Sequence, residues 1–285
     1  MKLELPSREI ELDRCLVMGI VNRTPDSFYD GGRMDLKASV DHCVALVDHG
    51  ADVIDLGGVK AGPGPSVDEG EETARLLPLV EAVTRAVGAP ISVETGRASI
   101  ARRAIESGAA IVNDVTGLTD AGLASICAET GAALVLMHHG GQIRGRPRHP
   151  VYADVVDDIR ASWSRQIGIA RAAGVDETRL ILDPGLDFGK NTFHSLEVMR
   201  RLDELTREPY PVLIAPSRKD IVGETLDLPP DQRLEGSLAL VALSVAAGAA
   251  IVRVHDVIET VRVVRMVEAV RGRRAPLAPI RGLWE

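Results

Sequence analysis

The chain is short of aromatic side chains and has no long hydrophobic run, and each shortage excludes a class of protein. Aromatic residues make up 3% of the 285 residues and apolar residues 45%, a balance that predicts an α/β core of Ala, Val and Leu. The longest apolar stretch, residues 238–252, is shorter than the roughly 18 residues of a membrane span and is interrupted by Ser244 and Gly248. We therefore expect no membrane partner.

Acidic residues outnumber basic ones, 41 to 33, and cysteine is scarce. The formal net charge is −8, whereas a general nucleic-acid binder needs a basic face to neutralise phosphates, so we expect a small-molecule partner and no nucleic acid. The cysteines, Cys15, Cys43 and Cys127, are odd in number and lie in apolar segments, which predicts free, buried thiols in a reducing cytoplasm. Charges within the first nine positions, where a signal peptide has its apolar core, also favour the cytoplasm.

Short apolar runs, typical of buried parallel strands, alternate with amphipathic segments that often end in glycine. The eight runs are 16–21, 53–56, 91–93, 111–112, 133–137, 180–182, 212–214 and 251–254, and the amphipathic segments include 38–48, 69–86, 99–107, 155–173 and 234–247. Eight strand–loop–helix units predict an α/β fold of the (β/α)8 TIM barrel class. We expect one domain over residues 1–285 with a flexible C-terminal tail at 272–285. A doubly wound open sheet is the alternative.

Polar residues follow or end all eight predicted strands. TIM barrels carry their active sites on the loops that leave the C-terminal ends of the strands, so these residues are the candidates for chemistry. They are Asn22, Gly57-Gly58, Glu94, Asn113-Asp114, His138, Asp183, Ser217-Arg218-Lys219 and His255. A barrel with a purely structural role would not need polar groups at every strand exit.

Four of these side chains, together with Arg253 on the last predicted strand, suggest a ligand with an anion and a flat ring. Arg253 and His255 are two apart on the last strand and share one face, which suits a phosphate; alternatively, Arg253 pairs with a neighbouring carboxylate. Asp183 and Asn113 could bind the edge of a heterocycle, since a carboxylate matches the paired donors of a 2-amino-pyrimidinone, or could serve loop and backbone. Lys219 could bridge ring and anion, or be an ordinary lysine at a helix start.

Six short motifs occur in a fixed order: Asn22…Thr24-Pro25-Asp26-Ser27-Phe28, Asn113-Asp114, Asp183-Pro184-Gly185, Phe188-Gly189-Lys190-Asn191, Ser217-Arg218-Lys219 and Arg253-x-His255-Asp256. The chain, over nearly its whole length, resembles the dihydropteroate synthases, which join a dihydropterin to para-aminobenzoate in folate biosynthesis. The resemblance implies a cytoplasmic homodimer that binds a pterin diphosphate, aminobenzoate and Mg²⁺. The diphosphate would leave first, and the neutral arylamine would then attack the pterin methylene cation.

The resemblance also implies a role for each matching residue. The residues it places at the reaction centre are Asn22, Lys219, Arg253 and His255. The pterin would be held by Glu94, Asn113, Asp183, Lys219 and Arg253, and the diphosphate by Asn22, Arg253 and His255. Aminobenzoate would contact Phe28, Pro63 and Ser217, and Mg²⁺ would lie at Asn22.

Several positions depart from the family pattern. The second family motif, Gly-Gly-Glu-Ser-Thr-Arg-Pro-Gly, has lost its threonine and arginine, which are Ala61 and Gly62 here. A lost charged hydrogen bond to the leaving group costs about 2–3 kcal/mol, or roughly 30- to 200-fold in rate. Glu94 replaces an aspartate, and Asp187 and Ala215 replace glycines. These departures resemble the divergent second synthase paralogue of actinobacteria.

Three functions follow from this pattern. The first is a dihydropteroate synthase whose activity is weak or lost because the second loop and the pterin pocket are altered. The others are a non-catalytic paralogue that binds a pterin or a phosphate ligand, and a transferase for another substrate. Arg23 and Lys60 are new charges on strand-exit loops, and we hypothesise that they restore positive charge for a phosphorylated ligand. An aldolase-type Schiff base is disfavoured, because neither Lys190 nor Lys219 has an evident activating environment in the sequence.

Overall fold

The computed structural model describes residues 1–23, 35–59, 67–140 and 150–281. The strands in these ranges are β1 (Lys2–Leu5), β2 (Arg8–Glu11), β3 (Leu16–Asn22), β4 (Val53–Gly57), β5 (Ile91–Glu94), β6 (Ile111–Asp114), β7 (Ala133–Met137), β8 (Leu180–Asp183), β9 (Leu213–Ile214) and β10 (Ile251–Val254). The first two form an antiparallel hairpin, and the other eight form one sheet in the order β8-β7-β6-β5-β4-β3-β10-β9. A parallel bridge between Leu182 and Val212 joins the two edges, so the sheet closes into a barrel.

Helices surround the barrel and connect its strands. They are α1 (Leu36–Asp48), α2 (Glu69–Ala86), α3 (Ala98–Glu106), α4 (Gly122–Thr130), α5 (Val155–Ala172), α6 (Thr192–Arg200), α7 (Leu202–Leu205), α8 (Asp220–Leu226), α9 (Leu234–Ala247) and α10 (Val257–Val270). Each of the eight apolar runs of the sequence forms a strand, and the (β/α)8 barrel in a single domain is confirmed. The open-sheet alternative is wrong because β8 and β9 are joined.

Alternation along the strands produces two apolar layers. Val17 of β3 packs outward against the helices, whereas Leu16 and Met18 point into the barrel, since successive side chains of a strand face opposite ways. The inner layer also contains Val53, Ile111, Ala133, Val135, Ile181, Leu213, Ala215 and Ile251. Ala215, which replaces a family glycine, is therefore a packing residue of this inner layer.

The N-terminal hairpin, which the sequence analysis did not predict, closes one end of the barrel. Leu3 and Leu5 are buried and belong to the inner apolar layer. Since this layer begins at Leu16, where β3 starts, the hairpin covers the N-terminal ends of the barrel strands. The polar strand exits lie at the opposite end of the barrel.

Other features bear on the sequence-based expectations. The described part of the chain contains no helix that is both long enough and apolar enough to cross a membrane. Cys15, Cys43 and Cys127 are free and buried, as predicted. Burial raises the pKa of Cys43 and Cys127 to about 12, so both thiols stay protonated at neutral pH. The flexibility of the tail remains a prediction.

Candidate functional site

A layer of polar side chains lies above the apolar interior, at the C-terminal ends of the strands. In the parallel register, Asn22 of β3 is level with Gly57 of β4, Gly57 with Glu94 of β5, and Glu94 with Asn113 of β6. Asn22, Gly57 and Asn113 are an even number of residues beyond an inward-facing apolar side chain of their strands, and Glu94 alternates with Ile91 and Val93, which pack outward, so the alternation directs these positions into the barrel. The structure thus brings together groups that are far apart in the sequence.

Arg253 is the central cation of this layer. Its Nε donates to Asp55 Oδ2 at 2.6 Å and an Nη donates to Glu94 Oε2 at 2.6 Å. Asp55 Oδ2 also accepts a hydrogen bond of 3.2 Å from Asn113 Nδ2. Both carboxylates are buried, at 0% and 4% exposure. The carboxylate pairing that the sequence left as an alternative for Arg253 is therefore present.

Asp55 is a site residue that the sequence analysis missed. It lies inside the apolar run of β4 instead of at its exit, although its inward position, two residues after Val53, carried the signal. Its Oδ1 atom is buried and has no hydrogen-bond partner among the described residues. An unpaired buried acceptor costs about 1–3 kcal/mol, and an N–H donor of a ligand would satisfy it.

The pKa of Glu94 is raised to about 7, mainly because burial disfavours the carboxylate. Arg253 opposes this shift and Asp55 adds to it. The direction follows from the charge balance, because two buried carboxylates share one guanidinium and a proton on one of them makes the group neutral. Glu94 therefore changes charge near neutral pH.

Asp183 and Lys219 are two further charged residues of the site, and each influences the pKa of the other. Asp183 Oδ1 accepts a hydrogen bond of 2.6 Å from the Gly185 N–H, so this carboxylate does serve the following loop, as the alternative interpretation held. Burial raises the pKa of Asp183, and Lys219 opposes the shift. Lys219 Nζ donates to the Leu186 carbonyl at 2.7 Å and lies 4.9 Å from the centroid of the Phe188 ring.

The exits of β9 and β10 are tied together by side chains. Ser217 Oγ lies 3.1 Å from His255 Nδ1 and accepts the His255 backbone N–H at 3.2 Å. Arg218 donates to both carboxylate oxygens of Asp256, at 3.1 and 2.5 Å. Desolvation among the strand ends, and then the cations Arg253 and Arg218, lower the pKa of His255. His255 is therefore neutral at pH 7, although its side chain is exposed.

Asn22 presents a buried oxygen that is suited to a cation. Its Oδ1 atom has no hydrogen-bond partner in the described part of the chain. A Cβ atom at Gly57 would lie 2.4 Å from this oxygen, so glycine is needed to make room for the amide. Carbonyl oxygens are Mg²⁺ ligands, and Mg²⁺ commonly takes few protein ligands and fills its octahedron with waters and phosphates. The described ranges contain no cluster of three or more His, Cys, Asp or Glu residues that could hold a metal.

Lys190 and His138 form a buried pair beside the site. Lys190 Nζ lies 2.7 Å from His138 Nδ1 and donates to the Gly185 and Phe188 carbonyls at 3.0 Å each, while His138 Nε2 lies 2.8 Å from Asp158 Oδ2. Burial lowers the pKa of Lys190 to about 7 and, together with Lys190, that of His138 to about 4. The expectation that Lys190 has no activating environment is wrong, because burial lowers its pKa. Lys190 is only 5% exposed and its amino group already contacts two carbonyls and an imidazole, so a substrate carbonyl would have to displace these contacts before a Schiff base could form.

Some of the sequence-based expectations concern residues that the structure does not describe. Phe28, Pro63 and Lys60 lie outside the described residues, as do positions 61 and 62. Arg23 is described, and one Nη donates to the Arg75 carbonyl on α2 at 3.0 Å. Its proposed contact with a phosphate stays a hypothesis.

Replacing Glu94 by glutamine should remove a pH dependence of stability. Because the pKa of Glu94 is about 7 in the folded chain and near 4.5 otherwise, folding takes up a proton between these values. The contribution of this proton uptake to the free energy of unfolding is fully present below about pH 4.5 and is lost as the pH rises through 7. The total loss is on the order of 1–3 kcal/mol. We expect urea unfolding at pH 5 to 8 to show the wild type losing stability relative to Glu94→Gln. A wild-type free energy of unfolding that stays constant or rises relative to that of Glu94→Gln over this pH range would contradict this.

Comparisons with known proteins agree with this geometry. The family model described as pterin binding enzyme matches residues 18–255. The chain is 46% identical to the inactive dihydropteroate synthase 2 of Mycobacterium leprae, over 99% of this chain and 100% of that protein. It is 44% identical to the dihydropteroate synthase of Bacillus subtilis, over 88% of this chain and 87% of that protein.

Solved structures give the same result at the level of the fold. The dihydropteroate synthase of Yersinia pestis, in a complex with a sulfonamide drug, superposes with a TM-score of 0.91 at 38% identity, over 96% of this chain and 100% of that one. The enzyme of Xanthomonas albilineans with 4-aminobenzoic acid gives a TM-score of 0.89 at 37% identity, over 98% and 99% of the two chains. The chain belongs to the dihydropteroate synthase family of pterin-binding enzymes.

Proposed function

We propose that this protein binds a dihydropterin at the C-terminal end of its barrel and has weak or no synthase activity. The observation that carries the proposal is the engagement of Arg253 by both Asp55 and Glu94. An arginine that is free to face a leaving diphosphate stabilises the charge that develops there. Here two built-in carboxylates compete for the same guanidinium. That the Mycobacterium leprae relative is named inactive supports this interpretation.

The heterocycle is the part of the ligand that the site accommodates best. Asp55 Oδ1 is a buried acceptor without a described partner, and Asn113 and Asp183 are buried polar residues at the same end of the barrel. Carboxylates that accept hydrogen bonds from the amino and ring N–H groups of a pterin would pair these donors inside an enclosed site. Lys219, near Asp183, would contact the ring edge, and Glu94 would lie beside it.

The anionic half of the ligand would lie towards Asn22, Arg253 and His255. Asn22 Oδ1 would hold Mg²⁺ together with diphosphate oxygens, and the ion would supply charge neutralisation of the leaving group. Neutral His255 would donate one hydrogen bond to a phosphate oxygen. Ser217, which is hydrogen-bonded to His255, would face the aminobenzoate. Phe28 and Pro63 are proposed to contact the aminobenzoate. The arylamine is neutral at pH 7, so no residue of the chain needs to act as a strong base.

A homodimer and a cytoplasmic location belong to the same proposal. α9 is apolar almost all round, and its Leu243 is 58% exposed, while Met266 and Val270 of the neighbouring α10 are 64% and 74% exposed. A helix that is hydrophobic on its outer side is normally covered, and a second copy would cover this face with the same face of its own. Free, buried thiols suit a reducing compartment.

Calorimetric titration with 6-hydroxymethyl-7,8-dihydropterin diphosphate and Mg²⁺, combined with an assay for dihydropteroate formation from aminobenzoate, tests the function. We expect binding with little or no turnover. Asn113→Leu should weaken binding by roughly tenfold or more, because it removes one hydrogen-bonding group from the ring site. Efficient turnover would instead establish an active synthase, and the absence of binding would overturn the proposal.

Shortening Glu94 should favour an anionic ligand. Glu94→Asp withdraws the carboxylate by one methylene, about 1.5 Å, and weakens its contact with Arg253. We expect the affinity for inorganic pyrophosphate, measured by calorimetry, to rise on the order of 3- to 30-fold. The matched control is Glu268→Asp, which shortens a buried glutamate that pairs with Arg274 at the other end of the barrel. Equal affinities in Glu94→Asp and the control would show that Glu94 does not compete for Arg253.

Charges placed on the apolar face of α9 and α10 should separate the dimer. Leu243→Glu with Met266→Glu places two like charges on the proposed self-complementary surface, where they would be buried and unpaired. Sedimentation equilibrium should show the mass fall from twice 30.5 kDa to that of one chain. Leu226→Glu, at a residue of α8 that is 50% exposed outside this face, is the control and should remain dimeric. A wild type that sediments as a monomer would refute the dimer.

A further inference from the structure

We propose that Asp187 is a positioning residue that holds Lys219 in place. Lys219 is the N-cap residue of α8, and the carboxylate of Asp187, which lies in a different loop, caps the N-terminus of this helix. Asp187 lies in the loop between β8 and α6. Lys219 has no side-chain cap bond of its own to this helix. Instead, the Ile221 backbone N–H donates to Asp187 Oδ2 at 3.2 Å.

The carboxylate of Asp187 is itself held in place. Buried Ser195 of α6 donates through its hydroxyl to Asp187 Oδ1 at 3.0 Å, and the same hydroxyl accepts the Asp187 backbone N–H at 3.1 Å. One carboxylate oxygen therefore faces α6 and the other faces α8. Asp187 joins the two helices through a short and rigid link.

The residues on either side of Asp187 contact the Lys219 side chain directly. The Leu186 carbonyl accepts the Lys219 ammonium at 2.7 Å, and the Phe188 ring lies 4.9 Å from it. Three consecutive residues thus contact Lys219 or the first turn that it opens. The backbone at Asp187 has φ +66°, a conformation that costs an L-residue free energy and that glycine adopts without cost. An aspartate at this position is explained if its carboxylate contributes something that glycine cannot.

That contribution includes a fixed negative charge near the ammonium. Burial lowers the pKa of Lys219, and Asp183, Asp187 and Glu94 oppose this shift, whereas Arg253 and Lys190 favour the neutral amine. Asp187 thus favours the charged form of Lys219 and also holds the first turn of α8, which follows Lys219, in place. The contacts of Asp187 do not depend on the proposed function. That Lys219 contacts a ligand does rest on the proposed function.

The test is the pH profile with which Lys219 of the intact protein reacts with acetic anhydride, followed by peptide mass spectrometry. Asp187→Asn keeps the size of the side chain and removes its charge. In Asp187→Asn, we expect the midpoint of the curve of Lys219 acetylation rate against pH to lie about one pH unit lower than in the wild type. Below the midpoint, the rate at a given pH should therefore be about tenfold higher. Asp187→Gly should lower the midpoint at least as far. The matched control is Asp176→Asn, which changes an aspartate that accepts from Thr178 before β8, at the other end of the barrel.

A midpoint in Asp187→Asn equal to that of the wild type and of the control would overturn the proposal, whatever happens to thermal stability. Asp187→Asn decides the matter should Asp187→Gly fail to fold. No ligand enters the experiment, so its outcome is independent of whether the protein binds a pterin.

Discussion

The ion pairs of Arg253 with Asp55 and Glu94 are the interaction on which the rest of the candidate site depends. They link β10, β4 and β5 at a single guanidinium that is 12% exposed. Removing such charges from water costs several kcal/mol for each, so the group is stable only because every charge faces another and Asn113 adds a hydrogen bond. A ligand that needs Arg253 must therefore compete with carboxylates that are already in place and already oriented.

The fold could be predicted largely from the sequence because buried parallel strands appear as continuous apolar runs. Positions 133–137 are an example, since all five side chains of β7 are buried. The N-terminal hairpin was missed for the opposite reason. Its strands are only four residues long, and Leu3 and Leu5 alternate with Lys2 and Glu4, a period-two signal too short to distinguish from chance.

The candidate site could be predicted as a set of residues but not as a set of contacts. Glu94, Asn113 and Asp183 were identified because they end strands, and in a barrel all strand ends meet. Asp55 was not, because it lies within a strand and is separated from Arg253 by 198 positions. Which of two oppositely charged groups will pair depends on distances across the barrel, and strand periodicity carries no such information.

Two of the positions that depart from the family pattern, Glu94 and Asp187, place carboxylates beside the cations of the site. Glu94 brings its carboxylate onto Arg253, and Asp187 adds a carboxylate near Lys219 where the family has glycine. The apolar layer below these groups packs independently of them, so the barrel tolerates the exchange while the potential of the pocket becomes less positive. An anion has to compete with these carboxylates for Arg253 and Lys219, whereas an N–H donor of a ring meets Asp55 Oδ1, which has no partner among the described residues.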